Sequence, residues 1–137
     1  SPTGTHPCEG QGYDENQYIA FSKLNEQYFN AAPLYLMKYA EVCFLRAEGA
    51  LRGWNMGGTA QNFYEQGIRL SFGQWGVTGI DSYLSDNSST PEPYNDPVGL
   101  NSYSGSVSTA TIAWSNSISE EEKLEKIITQ KWLANFP

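Results

Sequence analysis

Apolar residues recur with helical spacing in two stretches of this chain, about 33–76 and 119–136, and lose their periodicity between them. In the first stretch, Pro33 suits the opening turn of a helix, where its missing donor is not needed, and Gly53 suits a left-handed cap. Lys38, Glu41, Glu48 and Arg52 gather on one narrow stripe of that helix, whereas Leu36, Met37, Ala40, Cys43, Phe44, Ala47, Ala50 and Leu51 fill most of the remainder. So thin a polar stripe predicts a helix packed on more than one side. Glu48 and Arg52 stand four residues apart with the acid first, the favourable order for a surface pair. Arg46 falls inside the apolar arc, so its stem is expected to run along the core while its head reaches outward or meets a carboxylate.

A second helix is predicted over Ala60–Trp75, with Thr59 as its N-cap and Gly76 as its end. One face carries Ala60, Tyr64, Gly67, Ile68, Ser71 and Trp75, and the other Asn62, Glu65, Gln66 and Arg69. The small residues Ala60, Gly67 and Ser71 on the apolar face would let another helix approach closely. The turn from Gly53 to Gly58 is short, so the two helices should form an antiparallel hairpin. The small, large, small spacing of Ala60, Tyr64 and Gly67 matches the second helix of a tetratricopeptide unit. One such unit cannot bury both of its faces, which predicts further stacked units.

Residues 77–118 read as a long loop region. Ser82–Ser117 is rich in Ser, Asn, Pro, Thr and Gly, with isolated aromatics at Tyr83, Tyr94, Tyr103 and Trp114. A stretch of that length without periodicity is either a functional surface loop or partly disordered. The last helix should start at Ser119-Glu120-Glu121-Glu122, where Ser119 and Glu122 can form a capping box and the acids suit the positive helix end. Its buried stripe is predicted as Leu124, Ile127, Ile128, Trp132 and Phe136, with Lys131 extending outward or finding a partner. Upstream of the hairpin, Ser1–Tyr13 reads as an extended lead-in, and Asp14–Asn30 fits helix or irregular structure equally well.

The fold class is therefore all-α: a tetratricopeptide-like hairpin and a C-terminal helix within one domain-sized chain of 137 residues. A formal charge of −7, with only eight scattered Lys and Arg, excludes nucleic acid as a partner and argues against a polybasic membrane-surface patch. No apolar run approaches the roughly 18 residues needed to span a bilayer, and no signal segment opens the chain. The ends at Ser1-Pro2-Thr3-Gly4 and Asn135-Phe136-Pro137 read as cuts in a longer protein. Cys8 and Cys43 lack metal-ligand spacing. Cys43 is read as a small buried apolar residue, the alternative being a bond to Cys8 in an oxidising compartment.

The residues offer little chemistry. His6 is the single histidine and lies in the lead-in, so no Ser/His/Asp or Cys/His set can be assembled. The best-placed acids are caps or helix-surface partners rather than a hydrolytic pair. Asp86-Asn87-Ser88 and Asn95-Asp96 lack the regular acidic spacing of a calcium loop and read as turns. Asn87-Ser88-Ser89 matches the N-glycosylation triplet, a pattern frequent by chance. The expectation is no catalytic residue, no metal site and no cofactor. What remains is aromatic rings on polar loops, which suit the C–H faces and hydroxyls of sugars, and the candidate ligand-binding residues are Tyr94, Tyr103 and Trp54. The competing reading is that these rings anchor loops to the helices.

Three motifs carry a family resemblance: Met37-Lys38-Tyr39-Ala40-Glu41-Val42 running into Phe44-Leu45-Arg46-Ala47-Glu48 and Ala50; Tyr64-Glu65-Gln66-Gly67-Ile68-Arg69 through Trp75-Gly76-Val77; and Ile127-Ile128-Thr129-Gln130-Lys131-Trp132. In this order they resemble the C-terminal part of the SusD/RagB family. The resemblance implies a non-catalytic, lipid-anchored protein on the extracellular face of a Gram-negative outer membrane. Such a protein captures oligosaccharides, or in some members peptides, for a SusC-like TonB-dependent transporter. Neither Cys8 nor Cys43 can stand for the lipid anchor, so membrane association would run through a segment missing from this chain. The alternative is a tetratricopeptide-like scaffold whose groove holds a peptide or a transporter partner.

Overall fold

The computed structural model describes residues 35–97, 99, 102–105 and 108–136. They divide into two compact units, one of residues 35–91 with 108–136 and one of the described residues within 92–105. Readings that fall on His6, Cys8, Pro33 and the segments 1–13 and 14–30 lie outside the described residues.

Among the described residues the larger unit holds four helices, α1 (Tyr39–Leu51), α2 (Ala60–Trp75), α3 (Ile80–Leu84) and α4 (Glu120–Asn135), and no regular strand. The all-α class and the hairpin of α1 and α2 follow the sequence pattern. Helix α1 starts later than expected. Residues 35–37 are exposed and outside the helix, and Lys38 is its extended N-cap, so Leu36 and Met37 do not belong to the packed arc. The helix begins at Tyr39, one residue before burial begins at Ala40, where the apolar face first meets a neighbour. Helix α2 has the predicted bounds: Thr59 Oγ1 accepts from the Asn62 N–H at 3.2 Å, and Gly76 closes the helix at φ +64°.

The core of the hairpin is a contact between unequal partners. A Cβ placed on Gly67 would stand 2.7 Å from the ring of Phe44, so the glycine is what admits the aromatic side chain between the helices. Phe44 packs edge-on to Tyr64, with 6.4 Å between ring centroids, and Tyr64 leans on Trp114 at 5.2 Å while its hydroxyl donates to the Ile112 carbonyl at 2.7 Å. Phe44, Tyr64, Ile68, Ile127 and Cys43 are all but inaccessible to solvent. Burial pushes the Cys43 thiol upward in pKa, against a smaller opposing pull from Arg46.

Arg46, half-buried, meets no carboxylate among the described residues and takes a structural role at the turn instead. Its guanidinium lies 4.0 Å from the centre of the Phe63 ring and donates to the Met56 carbonyl at 2.7 Å, turning back over the α1–α2 turn. Cation–π attraction and a charge-assisted hydrogen bond replace the carboxylate. Glu48 and Arg52 pair as expected, at 2.8 Å.

Helix α4 packs on α1 and α2 with a different face from the one the wheel indicated. Lys126, Ile127, Gln130 and Ala134 are buried, whereas Ile128, Trp132 and Phe136 are exposed, as is Leu133. Of the predicted stripe, Ile127 is buried and Leu124 half-buried. The rotation has a polar cause. The Lys126 ammonium donates to the Thr111 carbonyl, to Thr111 Oγ1 at 2.9 Å and to the Ala113 carbonyl at 3.0 Å, fixing that side of α4 against the returning loop. Lys131 finds its partner in Glu41 at 4.0 Å.

The capping box of α4 forms as its sequence requires. The Glu122 N–H donates to Ser119 Oγ at 3.2 Å, and the Ser119 N–H donates to Glu122 Oε2 at 3.0 Å. These bonds hold the Glu122 carboxyl below its ordinary pKa. Ser119→Ala is expected to lower stability by about 1 kcal/mol in urea denaturation, the usual cost of a lost N-cap. An unchanged midpoint would show that α4 is held by its docking alone.

Helix α3 is absent from the sequence reading because five residues show no period. It follows Gly79, at φ +84°, and places Tyr83 against Phe72 with ring centroids 5.0 Å apart. The Asp86 turn then forms: Oδ1 accepts from the Ser88 and Ser89 N–H groups, both at 2.9 Å, which holds this carboxyl far below the usual carboxylate range.

Candidate functional site

In the smaller unit the chain returns on itself to form an isolated antiparallel bridge between Tyr94 and Tyr103, two of the three residues singled out from sequence. The Tyr103 N–H donates to the Tyr94 carbonyl at 2.8 Å. Residues bridged in this way direct their side chains to one face, with Cβ atoms about 5 Å apart. Both phenols remain half exposed, at 49% and 53%.

The intervening loop is turned by local polar contacts. The Gly99 N–H donates to the Asp96 carbonyl at 2.9 Å, with Gly99 at φ +76°, a conformation other residues rarely adopt. The Asp96 N–H donates to Ser102 Oγ at 3.0 Å, tying the start of the loop to its return. Gly105 supplies the seat of one ring: a Cβ there would lie 2.8 Å from the Tyr103 hydroxyl oxygen. Sequence reasoning did not single out Ser102 or Gly105. Asn95-Asp96 reads from sequence as a turn, and the chain does turn there.

Trp54, the third candidate, belongs to the larger unit, in the turn after α1. Its backbone N–H donates to the Gly49 carbonyl at 2.9 Å, and its ring edge lies 3.2 Å from the position of a Cβ on Gly49. At 63% exposure the indole still offers a face to solvent.

Four carboxylates of the larger unit serve local structure. Asp86 and Glu122 are held ionised by serine donors, so neither can serve as a proton donor near neutral pH. Glu48 pairs with Arg52, and Asp81 with Arg69 at 3.0 Å. The Cys43 thiol is buried and stays protonated, the opposite of a nucleophilic cysteine. Among the described residues no group of three or more His, Cys, Asp or Glu could hold a metal ion, and no helix is long and apolar enough to cross a membrane.

Comparison with protein-family models matches residues 4–137 to the SusD-like family, described as Susd and RagB outer membrane lipoprotein. A comparison with curated protein sequences found no match. Several solved structures are similar. A SusD homologue from Bacteroides uniformis ATCC 8492 shares 58% identity at a TM-score of 0.75, over 78% of this chain and 22% of that one. A chitin-binding SusD homologue from Flavobacterium johnsoniae shares 55% identity at a TM-score of 0.72, over 76% of this chain and 22% of that one. A homologue from Bacteroides vulgatus ATCC 8482 shares 37% identity at a TM-score of 0.80, over 94% of this chain and 26% of that one. The chain thus spans about a quarter or less of the length of these relatives.

Proposed function

Since this chain belongs to the SusD/RagB family of outer-membrane lipoproteins, we propose that it is the glycan-binding, non-catalytic component of a nutrient-uptake system, working at the extracellular face with a SusC-like TonB-dependent transporter. The observation that carries the binding role is the Tyr94–Tyr103 pair, two half-exposed rings held on one face by a backbone bridge. Aromatic faces cover the apolar C–H surface of a sugar, and neighbouring amide and hydroxyl groups meet its hydroxyls. Trp54 is proposed as a further stacking residue on the other unit. The likeness to a chitin-binding homologue makes chitooligosaccharides the first ligand to try.

Titration calorimetry with chitotetraose tests this reading. The unaltered protein should bind, and a Tyr94→Ala/Tyr103→Ala variant should bind about tenfold more weakly, as removal of one or two stacking contacts implies. Equal affinity in the two proteins would remove the tyrosine pair from the site. A second reading, a scaffold for a protein partner, draws on the outward apolar row of Ile128, Trp132, Leu133 and Phe136 on α4.

A further inference from the structure

The larger unit contains a partly open cavity of about 280 Å³ between α4, the end of α3 and the segment returning through residues 110–112. Its size lies at the lower edge of small-molecule sites, which run from about 300 to 1,000 Å³, so it has room for one ring and not for a chain. Most of its wall is apolar, with Tyr83, Ile112 and Leu133 contributing, and Trp132 lines it while remaining 62% exposed. The Trp132 ring is set against Phe136, with centroids 5.3 Å apart.

The polar groups on the wall narrow the choice of ligand. Lys126 is the cation there, and an ammonium has three protons. All three are already given to Thr111 and Ala113, so an anion would find a charge but no donor. A pure hydrocarbon fits no better, because Ser89, Thr90, Thr129 and Gln130 make part of the wall polar. The Gln130 oxygen accepts from the Tyr83 hydroxyl at 3.1 Å, which orients its amide group as a donor. An uncharged molecule with one apolar face, one small apolar substituent and a few hydroxyls satisfies every wall.

We propose that this cavity is a second saccharide locus, which takes a single uncharged pyranose bearing an acetamido group, the ring face on Trp132 and the methyl group against Ile112 and Leu133. The proposal rests on the reading of the protein as a glycan binder and adds a place and a preference to it. The Tyr94–Tyr103 pair would meet a chain of sugars, and the cavity would hold one residue.

Calorimetric titration of the protein with N-acetylglucosamine and with glucose reads the preference directly. N-acetylglucosamine should bind about tenfold more tightly, the discrimination that one apolar group in a fitted pocket supplies. Trp132→Ala, at an exposed position that leaves the core intact, should weaken it about tenfold, and Ala110→Phe, which fills the cavity, should abolish it. The Tyr94→Ala/Tyr103→Ala variant should leave monosaccharide binding unchanged. Equal affinity for the two sugars, or N-acetylglucosamine binding that neither Trp132→Ala nor Ala110→Phe weakens, overturns the proposal. Retained chitotetraose binding in the Trp132→Ala and Ala110→Phe proteins would show that the wider glycan reading stands without it.

Discussion

Gly67→Ala is expected to destabilise the protein by about 2 kcal/mol, although the same exchange on an exposed helix stabilises by roughly 1 kcal/mol through backbone entropy. The sign reverses because the new methyl group would sit 2.7 to 3.0 Å from three atoms of the Phe44 ring. Phe44 is itself fully buried, so the ring cannot step aside without disturbing Tyr64. Overpacking of this kind costs about 1 to 3 kcal/mol, enough to exceed the propensity gain. A double-mutant cycle isolates the contact. Phe44→Leu alone should destabilise by leaving space, and in the Gly67→Ala background it should cost clearly less, because the two changes compensate in volume. Urea denaturation of the four proteins provides the cycle. A stabilised Gly67→Ala protein, or strictly additive effects, would mean that the helices are not in contact at this point.

Lys126→Met should cost about 3 kcal/mol. The substitution keeps an unbranched apolar stem in place but strips the Thr111 and Ala113 oxygens of their donor, and hydrogen bonds to a charged group contribute about 1.5 to 3 kcal/mol each. Part of that loss is offset, since the buried ammonium carries a desolvation penalty. That penalty is visible in its pKa, which burial lowers from the ordinary 10.5 against the smaller attraction of Glu122 and Glu125. The sign of the linkage follows. Between the depressed folded value and 10.5 the unfolded chain holds the proton more firmly than the folded one, so the Lys126 contribution to stability rises as pH rises through that window. A lysine gaining a salt bridge would behave in the opposite way. Denaturation of both proteins from pH 8 to 10.5 tests the assignment: the raised Cys43 and Tyr64 pull stability downward in both proteins over this range, so the stability of the unaltered protein relative to Lys126→Met should grow as pH rises. An unaffected midpoint at neutral pH would mean that the returning loop does not depend on this side chain.

The parts of the fold that were legible in the sequence are those set by local chemistry. Thr59, Gly76 and the Ser119/Glu122 box mark helix ends because each satisfies backbone groups within a turn of itself. On α2 the wheel placed Tyr64, Gly67 and Ile68 on the buried face but missed Phe63, which is buried beside them, while Ala60, Ser71 and Trp75 are only half-buried. Helix α4 misled the same procedure. Its orientation depends on carbonyls supplied by Thr111 and Ala113, and a lysine that looks like a surface residue becomes the buried one. Arg46 failed to follow expectation for a related reason, since the acceptor it uses is a backbone carbonyl in a turn and has no side-chain signature. At the candidate site the aromatic character of Tyr94 and Tyr103 could be read from composition. Their pairing could not, because one bridge flanked by Gly99 and Gly105 has no alternation to announce it.

Lys38 has a reach that its position at the head of α1 does not suggest. Its backbone carbonyl accepts the first amides of α1, its ammonium donates to the Ala134 carbonyl in the last turn of α4 at 3.0 Å, and the same ammonium stands 5.1 Å from the centre of the Trp75 ring at the end of α2. One cation therefore meets the negative pole of α4 and the indole that ends α2, while its own backbone starts α1. These contacts join three helix tips through one side chain, so the amides at the start of α1 and at the ends of α2 and α4 are expected to exchange with solvent together, and Lys38→Met to release them separately.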